Sequence, residues 1–194
     1  MRGTWALSLF ILTLLAAQTD TPHVYRNEEY GIAVAVPAGA LLCPVPAEQH
    51  DHGPVFLIGT TDTVGCSEFE HKRTVVIFAG SNAVNATKRL HEFLKWECRN
   101  VANGPCGTAP QGVHIPGRPS EAAQVDHSSG WIDVIVVTQG GAPDSAFDAT
   151  VPSINYELRL HTTRTHLHED MRVFRKVLDT IQLPSVPSSP EGRE

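Results

Sequence analysis

The chain has 194 residues, 15 Lys and Arg against 21 Asp and Glu, and a formal charge of −6. An acidic chain without a basic run excludes a nucleic-acid binder or an anionic-membrane binder, since both need clustered Lys and Arg. The length suits one compact domain.

The chain begins "MRGTWALSLFILTLLAAQ", with one early charge, Arg2, an apolar run from Ala6 to Ala17, and small residues at Ala16 and Ala17. That is the layout of a secretory signal peptide, and cleavage is expected after Ala17. The run is too short for the roughly 20 residues that cross a bilayer as a helix. The expected organisation is a signal peptide at 1–17, one α+β domain at 18–183 and a disordered tail at 184–194. The mature protein is expected to be secreted or periplasmic, with no membrane attachment. All four cysteines, Cys43, Cys66, Cys98 and Cys106, follow the leader, and an even count in an exported chain predicts two disulfides. Of the three possible pairings, the sequential closures Cys43–Cys66 and Cys98–Cys106 are favoured. In the chain-entropy picture each contributes about 2.5 to 3.5 kcal/mol. No CxxC spacing is present to suggest a cysteine zinc site.

"VYRNEEYG" reads as a short strand and turn, and "YGIAVAVP" (30–37) as a strand with Tyr30, Ile32, Val34 and Val36 on its crowded side. "PVFLIGT" (54–60) and "RTVVIFAG" (73–80) are β-branched and apolar, as buried strands are. A helix follows, with Val84, Leu90, Phe93, Leu94 and Cys98 on one face and Ser81 or Asn82 as its cap. Asn85-Ala86-Thr87 is a glycosylation sequon inside that helix. Residues 100–112, rich in Gly, Pro and Asn, are expected to be loop.

"EAAQVDHSSGWIDVIVVTQ" reads as two strands joined at Ser128-Ser129-Gly130. "INYELRLHT" alternates: Tyr156, Leu158 and Leu160 are expected to face in, and Glu157, Arg159 and His161 to face water. Leu167, Met171, Phe174, Leu178 and Ile181 recur at helical spacing until Pro184. The order predicts an α+β fold: a mostly antiparallel sheet packed with two amphipathic helices.

Ten histidines are many for this length. In "THLHED" (165–170), His166 and His168 lie two apart in a helix, about 200° from each other, and cannot share a metal. Glu169 and Asp170 are expected as first-turn acids favoured by the helix dipole, with Thr163 or Thr165 as the cap. In "HDHG" (50–53), His50 and His52 share one side of an extended segment, and with Asp51 they offer a copper or zinc site. His114, His127 and His161 are expected to be exposed. No GxSxG, Walker, GxGxxG or HExxH motif occurs. "HSSG" (127–130) is explained by a hairpin turn, and Glu28-Glu29 and Glu68-Phe69-Glu70-His71 by solvated charges.

Three stretches carry a resemblance: "YRNEEYGIAVAVPAG", a hairpin ending at proline; "WIDVIVVTQ" followed after a loop by "INYELRLHT"; and the closing helix "MRVFRKVLDTIQLP". In order of elements the chain resembles the PsbP-like α/β/α sandwich. The resemblance implies an exported binding or assembly factor without catalysis, and it carries no site residues.

The first expectation is therefore an exported, non-enzymatic module with a protein partner, of the immunity or inhibitor kind. It needs no cofactor and has no catalytic residues. The alternative is a periplasmic copper or zinc binder using His50, Asp51 and His52. The third is a hydrolase with dispersed residues, which requires a pocket lined by titratable groups with displaced pKa values.

Overall fold

The computed structural model describes residues 23–45, 51–60, 66, 71–80, 88–141 and 153–186. The expected leader, His50, Glu68 to Glu70, the Ser81 or Asn82 cap with Val84 and the sequon, and residues 187–194 of the expected tail lie outside the described residues.

The first two strands, β1 (Val24–Asn27) and β2 (Ile32–Ala35), form an antiparallel hairpin. Its turn is closed by Asn27, whose side-chain oxygen accepts the Tyr30 N–H at 2.9 Å. Seven further strands build the main sheet: β3 (Ala40–Leu42), β4 (Val55–Ile58), β5 (Thr74–Ala79), β6 (Gly107–Thr108), β7 (Ser120–Asp126), β8 (Trp131–Gly141) and β9 (Ser153–Thr163). They lie in the order β3-β4-β5-β9-β8-β7-β6, every neighbouring pair antiparallel. Two helices, α1 (Leu90–Asn100) and α2 (Leu167–Thr180), complete an α+β fold.

β8 and β9 pair over eleven residues each at the centre of the sheet. Because side chains alternate along a strand, their register sets the content of both faces. On one face Ile132, Val134, Val136, Leu158 and Leu160 meet Met171, Phe174, Val177 and Leu178 of α2 and Ile32 and Val34 of the hairpin, all buried. The hairpin is held there by backbone hydrogen bonds between Ala33 and Gln182 and by the Tyr156 hydroxyl, which donates to the Tyr30 carbonyl at 2.7 Å. On the other face Ala123, Val125, Ile135 and Val137 pack against Phe93, Leu94 and Cys98 of α1. The sheet is thus covered on both sides. The expectation that Glu157, Arg159 and His161 face water is corrected, because α1 must bury its own apolar stripe and takes that face.

Other sequence expectations also change. β6 forms within the stretch expected to be loop, pairing Gly107 and Thr108 with Gln124 and Ala123. The cap of α2 is His166, with no side-chain cap bond, in place of a threonine. Asp170 does stand in the first turn of α2, and it is also fully buried, accepting from the Thr162 hydroxyl at 2.5 Å and pairing with Arg73 at 3.2 Å. Both disulfides close as expected, Cys43–Cys66 and Cys98–Cys106. The guanidinium of Arg118 donates to the carbonyls of Gln139, Leu183 and Pro184, tying the chain beyond α2 to β8.

Candidate functional site: a stripe of acids and histidines on the α1 face

Residues 123, 125 and 127 of the β7 side, 131, 133, 135 and 137 of β8, and 157, 159 and 161 of β9 share the α1 face by register. Half of that face is apolar and lies in the α1 core. The other half is a polar stripe along β9 and β8.

At one end Glu97, carried by α1 between Phe93 and Cys98, meets Glu157 of β9. Both are almost wholly buried, at 2% and 4% exposure. They are hydrogen-bonded to each other. Burial first, and then the charge and hydrogen bond of Glu157, push the Glu97 carboxyl up to about 9. Glu157 is raised as well, by burial, while Arg159 and the bond from Glu97 pull it back. Two carboxylates in one dry site cannot both be charged, so the pair holds a proton at neutral pH. Arg159 Nε lies 3.4 Å from Glu157 Oε1 and supplies the balancing charge.

At the other end Asp133 of β8 stands directly opposite His161 of β9 in the strand register. Its side chain is only 5% exposed. One oxygen lies 2.7 Å from His161 Nδ1, and the other lies 2.7 Å from His127 Nε2. Burial alone would raise the Asp133 carboxyl. The hydrogen bonds from His161 and His127 and the nearby positive charges outweigh it and hold the group below the usual carboxylate range. His127 reaches the cluster because the Ser128-Ser129-Gly130 turn folds β7 onto β8: the His127 N–H donates to the Trp131 carbonyl at 2.9 Å, and Gly130 adopts φ +86°. Trp131 lies parallel to the His161 ring, with centroids 4.5 Å apart and planes 4° apart.

His127 and His161, expected to be exposed, are instead partly buried and convergent; His114 is exposed. Asp133 was missed. Its signal was present: one acid inside the otherwise apolar run "WIDVIVV" needs a partner if that strand is buried. Glu97 carried the same signal, a charge in the apolar stripe of a helix.

The "HDHG" residues occupy a different place. Segment 52–54 runs beside β5, where the His52 and Pro54 carbonyls accept from Ala79 and Ile77. Gly53 at φ +140° passes so close that a Cβ there would sit 2.2 Å from the Ile77 carbonyl oxygen. Asp51 accepts the Tyr25 hydroxyl at 2.5 Å and the Gly53 N–H at 3.0 Å, and the His52 ring packs between Tyr30 and Phe78, 5.2 Å from each. Asp51 and His52 thereby join the hairpin to the main sheet.

No protein-family model matches the chain, and no curated protein matches it. Among solved structures it is similar to LpqN, involved in cell envelope biogenesis of Mycobacterium tuberculosis, at 10% identity over 86% of this chain and 87% of that one, with a TM-score of 0.49. It is also similar to cyanobacterial PsbP (CyanoP) from Synechocystis sp. PCC 6803, at 9% identity over 89% and 98%, with a TM-score of 0.41. The second bears the family name that the order of elements suggested. Both likenesses concern the path of the chain, and neither protein lends a role to any residue here.

Proposed function

We propose that the protein is an exported, non-catalytic binding module that works outside the cytoplasm by contact with a protein partner. One observation carries this reading. The carboxyl groups whose protonation is displaced, Glu97, Glu157 and Asp133, face one another, Arg159 and two histidines. Three surface grooves formed by described residues lie elsewhere: two at the β1–β2 hairpin, against Gln182, and one beside Arg118 and Val186. A hydrolase places its tuned acids and bases where substrate enters, whereas these grooves are lined by none of them. Two disulfides suit an oxidising compartment, and the acidic composition suits a basic partner surface.

The test uses an affinity-tagged copy, expressed with its leader in its own host, cross-linked in whole cells and purified under denaturing conditions. One partner at near-unit stoichiometry is expected. Recovery of the chain alone, together with turnover of an ester, phosphate or glycoside substrate by the purified protein, overturns the proposal.

A further inference from the structure

We propose that His127, Asp133 and His161 form a binding site for a divalent transition metal of the zinc and copper class. One donor atom from each residue lies within 4.8 Å of the other two. Two imidazoles and one carboxylate are the donor set of zinc and copper, while calcium and magnesium take oxygen. The site differs from the one the sequence suggested at His50, Asp51 and His52, and it does not depend on the protein having a partner.

Asp133 and His161 stand on the adjacent strands β8 and β9, and His127 directly follows the last residue of β7, so the sheet and its turn fix their spacing. Asp133 and His161 are register partners, and the tight turn at 128–130 returns His127 to the same carboxylate. A site on rigid strands is organised before the ion arrives. The parallel stack of Trp131 fixes the plane of the His161 ring. That ring's outer nitrogen, Nε2, is buried without a hydrogen-bond partner among the described residues, which leaves Nδ1 as the nitrogen that faces the cluster. The imidazoles now stand 2.7 Å from the carboxylate oxygens. Tetrahedral coordination with bonds near 2.1 Å separates donors by about 3.4 Å, so each imidazole–carboxylate contact opens by roughly 0.7 Å to admit an ion. Side-chain exposure of 24% at His127 and 19% at His161 gives the ion a route from solvent and leaves a coordination position for water or an outside ligand.

Calorimetric titration of the mature protein with zinc and with copper(II) tests this. The expected result is one ion per chain with a Kd tighter than about 10 µM. The double variant His127→Ala, His161→Ala is expected to bind at least ~100-fold more weakly and Asp133→Asn at least ~10-fold more weakly, whereas His50→Ala, His52→Ala keeps the wild-type affinity. A reading on the unmodified protein guards against variants that fold poorly: zinc is expected to shift the imidazole nitrogen resonances of His127 and His161 and no other pair. Wild-type affinity weaker than about 10 µM for both ions, or binding that follows His50 and His52, overturns the proposal.

Discussion

Glu97→Gln tests the proton held beneath α1. An ordinary glutamate in the unfolded chain releases its proton near 4.5, while Glu97 in the folded protein holds it to about 9. Between those values the folded state binds more protons than the unfolded one. Stability is therefore full below about 4.5, declines as pH rises, and is lost progressively until the folded value is passed. At about 1.4 kcal/mol per pH unit, wild-type stability should fall between pH 5 and pH 8 by roughly 3 to 4 kcal/mol more than that of the variant. Glutamine keeps a donor towards Glu157 and does not titrate. Urea unfolding at pH 5, 6, 7 and 8, with both disulfides intact, measures the two profiles. Asp133, held low, loses its contribution only as pH falls below its ordinary range, outside this window. Parallel profiles for wild type and variant would refute a shared proton in the pair.

Asp170→Ala strands Arg73 and the Thr162 hydroxyl in a buried site, and thermal unfolding should report a loss of about 3 kcal/mol, with Asp170→Asn milder because it keeps an acceptor for Thr162. Replacing Cys43 and Cys66 together with serine removes a closure of 23 residues, and chemical unfolding should report a loss of about 3 kcal/mol. Arg118→Ala frees the carbonyls of Leu183 and Pro184, and hydrogen exchange at Gly141, whose N–H donates to the Pro184 carbonyl, should quicken without a matching fall in the exchange of the central β8 and β9 amides.

Local pattern carried much of the fold. Met171, Phe174 and Leu178 had to share a helical face, and the alternation of Tyr156, Leu158 and Leu160 put them on one side of a strand, as the α2 core confirms. The opposite side was misread because alternation reports that two faces differ and is silent on whether the polar one meets water. Only the docking of α1, settled by contacts far apart in sequence, decides that Glu157 is enclosed and Arg159 partly covered. The site was hidden for a related reason. His127, Asp133 and His161 span 35 positions and meet through strand register, whereas the histidines that stand out on the page, His166 and His168, are neighbours in sequence and diverge on a helix turn. β6 escaped notice because two residues, Gly107 and Thr108, carry no period.

The short outermost strand has a consequence for how this protein can be produced. β6 covers β7 at Ala123 and Gln124, and its position depends on Cys106, which anchors the preceding turn to Cys98 of α1. With that bond reduced, two hydrogen-bonded residues must hold the outer rim alone, and their departure exposes unpaired amides and carbonyls to any passing chain. Material made in a reducing cytosol is therefore expected to self-associate rim to rim, and material matured by oxidation to stay dispersed.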